Sequence, residues 1–328
     1  MLSKPYKRLT RSQTPKPLRM TGRDVALVRA TARFRALSSD QLAQIDGGSP
    51  RGARNRLSQL FDHGYLDRFQ QQHVLLGSFF DEGNAPLIYG LAKKGARLLA
   101  EQGDDIAGHL DWTTKNARAK VPFLAHTMTI ADAILKLQFA LKAHSGTAFL
   151  DHHELRPFFP EATQKRADPF RLSVTFPHDG RQLAIGVVPD RLMSFVYPDN
   201  TRHNFALEID MGTADVWSNN LRTKSSIRKK LLGYFHAFTQ RRHQEVWGFH
   251  GFRVLTQTVS ESRIQNMLKA QKQVTGGLAP SMFLYSTSER IAEHGILGPV
   301  WTGANGDGIS LLPSLPTSQP LEFDHVHP

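Results

Sequence analysis

The sequence contains no cysteine, which excludes disulfide bonds and every metal site built on thiolate ligands. No apolar run approaches the roughly 18 residues that span a bilayer, and the first residues lack the hydrophobic core of a secretory signal. A hydrophobic content of 40% is typical of a globular protein with a sizeable core. We therefore expect a protein of the reducing cytoplasm, without a membrane partner.

Several common catalytic motifs are also missing. There is no G-x-x-x-x-G-K-[ST] loop and no G-x-G-x-x-G, so a nucleotide-driven motor or a dinucleotide enzyme is unsupported. H-E-x-x-H and G-x-S-x-G are absent as well. A rolling-circle relaxase would need a paired-histidine metal motif beside a nucleophilic tyrosine, and Tyr234 lacks that setting. The sequence therefore does not support a nucleotide-dependent enzyme, a metalloprotease or serine hydrolase of these motif classes, or a relaxase.

Acidic residues are scarce in two segments, and this distribution indicates the partner. Residues 1–70 hold fourteen Lys or Arg against five Asp or Glu, and residues 221–244 hold seven basic residues and no acid. The net charge of the chain is +12. A polyphosphate is the usual partner of such clusters, and its binding weakens steeply as salt rises. We therefore expect double-stranded DNA as a partner.

The first hundred residues have the pattern of a winged helix-turn-helix. Residues 1–20 contain six basic residues, no acid and three prolines, which predicts a disordered tail. Thr21 can cap a first helix, Ser38 or Ser39 a second, and a third follows over 51–64. A strand at 65–69, a loop through Gly77 and Gly83, and a strand at 86–91 would form the wing, and a helix closes the domain at residue 101.

The third helix has the polarity needed to read DNA. Ala53, Leu57, Leu60 and Phe61 fall on one face, which we predict to be buried. The opposite face carries the candidates for contact with bases or phosphates, and two lysines near the wing are candidates for phosphate contact: Arg51, Arg54, Asn55, Arg56, Lys93 and Lys94. The alternative is a helix-turn-helix that docks on another protein.

The remainder of the chain predicts an α/β (α+β) domain. Residues 102–122 lack periodicity and are interpreted as a linker, and residues 313–328, with four prolines, as a disordered tail. Between them, residues 123–312 follow the order α-β-β-β-α-β-α-β, which favours a mixed sheet flanked by helices. One helix is expected at about 219–240, with basic residues on its outer face.

Residues 183–210 contain the sharpest candidate site. Two β-rich runs flank a turn at 197–200 and predict one hairpin. An odd loop length would bring Asp190 opposite Glu208 or Asp210, on one face of the hairpin. Three clustered carboxylates repel one another, so a cation, a basic side chain or a shared proton must compensate them.

These residues resemble two known families. Pro189-Asp190 followed by Glu208-x-Asp210 is similar to the PD-(D/E)xK signature of restriction-endonuclease-like nucleases, with Asp210 in the position of the lysine. The wider pattern PDRL…FALEIDMGT…KLLGYF resembles the plasmid replication-relaxation family. That resemblance implies a winged-helix N-terminus and a role in plasmid replication or mobilisation.

The nuclease resemblance implies that Asp190 and Glu208 hold a divalent ion, Mg²⁺, which activates water and neutralises phosphoryl charge. Because Asp210 has the wrong charge to orient the nucleophile, a lysine must come from the next helix, where Lys224, Lys229 and Lys230 are candidates. Arg228 and Lys229 are further candidates for DNA contact. The catalytic candidates are therefore Asp190, Glu208, Asp210 and Lys224.

Two functions remain open from the sequence. The first is a DNA-binding protein of plasmid replication, mobilisation or transcriptional control, without cleavage and without a required cofactor; a plasmid relaxase or a replication initiator would be its protein partner. The second is a metal-dependent endonuclease. Because winged helices often pair on palindromic sites, a homodimer is the default expectation.

Overall fold

A computed structural model describes residues 7–81, 85–104, 112–144, 146–278 and 281–312. The chain divides into two compact units, Met1–Leu135 and Lys136–Pro328. The predicted mixed α/β class is confirmed: helices flank a seven-stranded mixed sheet in the described part of the chain. The predicted linker, residues 102–122, lies on the N-terminal side of the division, and the predicted tail 313–328 lies outside the described residues.

The N-terminal unit consists of short helices around a three-stranded sheet of order β1-β3-β2. Helix α7 extends past the division between the units. The elements are α1 (Gly22–Phe34), β1 (Leu37–Ser38), α2 (Ser39–Asp46), α3 (Pro50–Asp62), β2 (Leu66–Arg68), α4 (Gln72–Asp81), β3 (Ile88–Leu91), α5 (Lys93–Glu101), α6 (Trp112–Ala117) and α7 (Val121–Lys142).

Local signals fix the starts of the first three helices. The side chains of Thr21 and Ser38 form capping boxes at α1 and α2, as the sequence predicts. Ser49 caps α3 by accepting a hydrogen bond from the amide of Gly52, and Pro50 occupies the first helical position. The inner face predicted for α3 is confirmed, since Ala53, Leu57, Leu60 and Phe61 are all buried.

The predicted wing loop is wrong in part. Between β2 and β3, which pair antiparallel, residues Gln72–Asp81 form helix α4. Gly77 interrupts it with φ 51° and ψ −134°. The apolar run here is long enough for helical turns, and Gln72 ties it to β3 through hydrogen bonds with both backbone groups of Ile88. Gly83 lies outside the described residues.

Two segments predicted to be irregular are ordered in this unit. Leu9 is buried, and Arg11 donates to the carbonyl of Leu66 at 3.1 Å and to Asp67 at 2.8 Å, so the prediction of a disordered tail is wrong for residues 7–12. In the predicted linker, Asn116 of α6 is buried and donates to the carbonyl of Leu91 at 2.8 Å. Both segments are held by polar contacts with distant residues, which local sequence patterns do not reveal.

The C-terminal unit contains the mixed sheet and a separate two-stranded sheet. Its elements are β4 (Ala148–Asp151), α8 (His152–Leu155), α9 (Glu161–Gln164), β5 (Leu172–His178), β6 (Arg181–Val187), β7 (Arg191–Val196), β8 (Arg202–Ile209), α10 (Ile227–Thr239), α11 (Arg242–Trp247), β9 (Arg253–Thr258), α12 (Glu261–Thr275), β10 (Phe283–Thr287), α13 (Ser288–His294), β11 (Trp301–Thr302) and β12 (Gly308–Ile309).

The seven strands have the order β12-β11-β10-β9-β8-β7-β4. Strand β8 pairs antiparallel with β7 and parallel with β9, so the strand pairing changes from antiparallel to parallel at β8. β5 and β6 form the second sheet, and α10 packs on their buried faces through residues such as Ile227, Leu231 and Tyr234. This places α10 close to the strand that carries Glu208.

The single hairpin predicted over 183–210 is wrong in its first half. Residues Arg181–Val187 form β6, which pairs with β5, and the chain leaves the strand before it enters β7. The turn predicted at 197–200 is confirmed: Tyr197 accepts from the amide of Asn200, whose φ is 64°. The break at 188–190 contains Pro189, which cannot donate to a strand ladder.

Two further boundaries differ from the prediction. The strand expected through DHHELR ends at Asp151, where the chain turns into the helical turn α8. The helix expected from residue 219 begins at Ile227, where Ser226 accepts from the amide of Lys229 as its cap. No described helix is both long enough and apolar enough to cross a membrane.

Candidate functional site

Asp190 and Glu208 meet across the β7–β8 ladder. Arg191 pairs with Leu207, so the next residues on each strand, Asp190 and Glu208, stand opposite one another. Asp190 lies in the bend before β7, and its Oδ2 accepts a hydrogen bond of 2.8 Å from the amide of Ile209. The negative charge of Asp190 acts on Glu208. The predicted juxtaposition of these two acids therefore agrees with the geometry.

Two side chains of α10 occupy both oxygens of Glu208. The hydroxyl of Tyr234 donates to Oε1, and Nζ of Lys230 forms an ion pair with Oε2. Glu208 is 4% exposed and the Lys230 side chain is 36% exposed. Lys230 stands three residues after Ile227 and four before Tyr234, so helical spacing brings it to the face of α10 that meets the sheet.

Asp190, Glu208, Lys230 and Tyr234 form a cluster, called the carboxylate cluster below, and burial is the largest influence on the pKa values of its last three members. Burial raises the pKa of Glu208, and the charge of Asp190 raises it further, while Lys230 opposes both effects. Burial lowers the pKa of Lys230, but the charges of Glu208 and Asp190 outweigh it and leave that pKa above its usual value. Burial also raises the pKa of Tyr234 well above 10. At neutral pH, Lys230 is a cation and Tyr234 a neutral donor.

Asp210 has a partner of its own. Arg263 of α12 binds both of its oxygens, with Nη2 2.8 Å from Oδ1, and the hydroxyl of Thr258 donates to Oδ2 at 2.5 Å. Burial raises the pKa of Asp210, but the hydrogen bonds from Arg263 and Thr258 together lower it below its usual value. Asp210 is therefore a carboxylate neutralised by Arg263.

The described residues do not fit a divalent ion in this arrangement. No group of three or more Asp, Glu or His side chains in the described ranges could hold a metal, and the predicted pair, Asp190 and Glu208, gains no third ligand of these types. Both oxygens of Glu208 are occupied by donors, and one oxygen of Asp190 accepts a backbone amide. Basic side chains, one of the three predicted ways to compensate the acids, bind Glu208 through Lys230 and Asp210 through Arg263.

The other predicted residues of this unit lie around the cluster. Lys224, expected on the helix, lies instead in the exposed segment before α10. Arg228 stacks on Trp217, 4.1 Å from the ring centroid, and donates to the carbonyl of Ser218 at 3.0 Å. Lys229 donates to the carbonyl of Arg222 at 3.3 Å. Their predicted roles in catalysis or DNA contact stay predictions.

In the N-terminal unit, α3 presents a polar face opposite its buried one. Arg51 and Asn55 are exposed. Arg54 is also exposed, and its ion pair with Asp40, 2.9 Å long, joins two side chains that are each at least half exposed. Such a pair contributes little to stability, because solvent screens both charges. Arg54 can therefore exchange Asp40 for another anion at little cost.

Arg56 differs from its neighbours on α3. It forms an ion pair with Asp24, which is fully buried, and donates to the carbonyl of Arg19 and to Gln59. Burial raises the pKa of Asp24, but hydrogen bonds from Arg56 and Thr21 lower it overall. Arg56 therefore holds α3 against α1, and the DNA contact predicted for it stays a prediction.

Lys93 and Lys94 open α5 and are both exposed. Nζ of Lys94 lies 5.6 Å from the centroid of the Tyr65 ring, a cation–π distance. Neither lysine has an acidic partner among the ion pairs of the described residues. Both remain candidates for phosphate contact.

Sequence reasoning named Lys230 as a candidate but missed two other side chains that bind these acids, Tyr234 and Arg263. Tyr234 shares the inner stripe of α10 with Ile227 and Lys230, and that spacing could have identified it as a partner of the acids on the sheet. Arg263 carried no such signal, because it lies 53 residues from Asp210 and meets it only through the parallel pairing of β8 with β9. Long-range pairing of this kind is not encoded in local periodicity.

The comparison with protein families agrees with the resemblance seen in the sequence. A family model described as replication-relaxation matches residues 29–251, which is more than half of the chain. The protein therefore belongs to the replication-relaxation family, and this membership suggests a role in plasmid replication or relaxation. Searches among curated proteins and among solved structures each found no match.

Proposed function

We propose that this protein binds double-stranded DNA through its N-terminal unit and that its C-terminal unit is a nuclease-like domain that does not cleave. The observation that carries the second part is the donor pair on Glu208, because Lys230 and Tyr234 occupy both oxygens that an ion would need. The first part is supported by the exposed basic face of α3. The family's role in plasmid replication or relaxation agrees with both.

The order of elements in the N-terminal unit supports a winged helix. Three helices precede the antiparallel pair β2–β3, and α3 is the third of them. In such folds the third helix enters the major groove and its first turns meet base edges and phosphates. Arg51, Arg54 and Asn55 occupy those turns of α3 and face away from the core.

Replacement of Arg51 and Arg54 together by alanine should weaken duplex binding about tenfold or more. Each arginine that contacts a phosphate releases a counterion from the DNA on binding, and the variant loses that gain at both positions. The slope of log K against log salt should fall by about two. Fluorescence anisotropy of a labelled duplex over a series of salt concentrations measures both quantities.

Arg29 provides the matched control for this test. It is an exposed arginine of α1 that pairs with Asp104 at 2.8 Å, and it does not lie on α3. Arg29→Ala should leave affinity and salt slope close to wild type. Equal losses in the control and in the α3 variant would reject α3 as the DNA-reading helix.

The wild-type protein should neither nick nor cut DNA when Mg²⁺ or Mn²⁺ is added, because Lys230 and Tyr234 hold the oxygens of Glu208. Supercoiled and linear plasmid, incubated with and without metal and resolved on agarose, provide the measurement. The alternative function is a metal-dependent endonuclease that uses Lys230 as a lysine displaced from the motif. Cleavage that disappears in both Asp190→Ala and Glu208→Ala would establish that alternative.

The proposed partners follow from the same reading. A DNA-binding protein of this family would act beside a plasmid relaxase or a replication initiator, in replication, mobilisation or transcriptional control. A homodimer on a palindromic site is the arrangement that winged helices commonly adopt.

A further inference from the structure

A second basic site lies in the C-terminal unit, away from the carboxylate cluster. A cavity of about 460 Å³ opens on the outer side of the two-stranded sheet β5–β6. Arg171, directly before β5, and Arg242, at the start of α11, line it together with Ser173 and Thr175. No carboxylate is among the described residues that line this cavity.

The alternation of the two strands creates this surface. Leu172, Val174 and Phe176 face the core, so the residues between them face outward. The outward residues are small or polar, which leaves the space above the strands open. A polar floor between two guanidinium groups favours an anionic ligand rather than an apolar one.

Gly186 shapes the position of one guanidinium. A methyl group at Gly186 would lie 2.2 Å from Nη1 of Arg171, so Arg171 lies over this residue only because it has no side chain. The far end of a flexible arginine is the group in conflict, and it can move without disturbing the strand. Gly186 therefore leaves the space that the Arg171 guanidinium occupies over the sheet.

Both arginines are available for a stronger anion. Arg171 pairs with Asp168 at 3.2 Å, and Arg242 pairs with Glu245, each partner being exposed and three residues away in the chain. Exposed pairs of this kind contribute at most about 1 kcal/mol. A phosphate that accepts two parallel hydrogen bonds from a guanidinium can replace the carboxylate in each pair.

We infer that this cavity binds the phosphodiester backbone of DNA and forms a second DNA contact, separate from α3. The arginines would bind phosphate oxygens, and the hydroxyls of Ser173 and Thr175 would donate to the same or a neighbouring phosphate. An open cavity on a strand pair accommodates a chain that passes across it better than a small molecule that must be enclosed. The inference rests on the proposed DNA-binding function and adds a contact to it.

The test uses the full chain and the anisotropy measurement described for α3. Arg171→Gln with Arg242→Gln should weaken duplex binding about tenfold and lower the salt slope by about two. The charge-matched control is Arg181→Gln with Lys269→Gln, two exposed residues that do not line the cavity. This control should keep the wild-type slope.

Gly186→Ala tests the placement of the Arg171 guanidinium without changing the charge of the cavity. It leaves the net charge unchanged but displaces the Arg171 guanidinium, so it should lower the affinity severalfold. Gly251→Ala, in the same unit, does not line the cavity and adds a methyl group where nothing lies within 4 Å, so it should keep the wild-type affinity. Circular dichroism and the melting temperature of each variant confirm that the fold is retained.

The outcomes distinguish this inference from the function it rests on. Loss of binding in the α3 variant alone overturns the cavity contact and leaves the proposed function intact. Loss in the cavity variants alone supports the cavity and rejects α3 as the reader. Loss in both sets supports both proposals, whereas no binding by the wild type at any salt concentration overturns both.

Discussion

Lys230→Met should destabilise the C-terminal unit by about 2 to 3 kcal/mol at pH 7. The substitution keeps the aliphatic stem and removes the charge that compensates Glu208 and Asp190. Breaking a fully enclosed ion pair costs about 3 to 5 kcal/mol. We expect less here because the Lys230 side chain is 36% exposed, so water reaches the remaining charge. Urea denaturation followed by tryptophan fluorescence measures the change, since three of the four tryptophans lie in this unit.

The pH dependence of this loss identifies its cause. The folded-state pKa of Glu208 is already raised by burial, and it rises further when Lys230 no longer opposes that effect. A carboxyl group with a raised pKa stabilises the fold below its unfolded pKa, about 4.3, and this contribution is lost as the pH rises through the folded pKa. The penalty of Lys230→Met should therefore shrink as the pH falls from 7 towards 5.

Two further variants complete the Lys230 experiment. Glu208→Gln combined with Lys230→Met removes the charge of the buried acid together with that of its partner and should recover most of the lost stability, because only the half-buried Asp190 then lacks the compensation of Lys230. The side chain of Lys229, one residue away, donates to the carbonyl of Arg222 and forms no ion pair with the acids of the cluster in the described residues, so Lys229→Met should change stability by less than about 0.5 kcal/mol. A penalty that does not vary with pH and is not recovered in the double variant would contradict the electrostatic account.

Gly95→Ala should destabilise the N-terminal unit by about 2 to 3 kcal/mol, although alanine is the better helix former. Helix propensity favours alanine over glycine by up to about 1 kcal/mol. A methyl group at Gly95, however, would lie 2.2 Å from the carbonyl oxygen of Tyr65, and 3.0 Å from Val28 of α1. That carbonyl cannot easily retreat, because it accepts a hydrogen bond from Ala92 at 3.1 Å. Overpacking against a fixed backbone atom therefore outweighs the propensity gain.

Gly22→Ala is the control for this substitution. Gly22 opens α1, and no atom lies within 4 Å of the position that its methyl group would take. Thermal unfolding by circular dichroism should show a lower melting temperature for Gly95→Ala and an unchanged or higher one for Gly22→Ala. If the two variants melt alike, the close approach of α5 to Tyr65 does not determine the packing of this unit.

The parts of the fold that could be predicted depend on short-range information. Thr21 and Ser38 are recognisable caps, and the spacing of Ala53, Leu57 and Leu60 defines the buried face of α3 without reference to other elements. The turn at 197–200 has the same local character. The assignment of β6 to a second sheet could not be predicted, because it depends on which of two neighbouring strands Arg181–Val187 pairs with.

In the candidate site, too, only the features that depend on neighbouring residues could be predicted from the sequence. The register that brings Asp190 to Glu208 follows from the turn, and the need for compensating charge follows from burial, so both could be derived from the sequence. Which base supplies that charge depends on the packing of α10 and α12 on the sheet. Arg263 and Lys230 each meet their acid across more than twenty residues of chain. A pattern over neighbouring residues does not indicate which distant residues form such pairs.

Strand β8 carries Glu208 and is hydrogen-bonded along both edges, to β7 on one side and to β9 on the other. The basic partners, Lys230 and Arg263, come from the helices α10 and α12 and reach the acids through their side chains. Glu208 is therefore held in a strand paired on both sides, whereas its basic partner can be replaced without breaking a strand ladder. Substitutions on α10 or α12 could give descendants of this protein a different chemistry while the scaffold that presents the acids stays as it is.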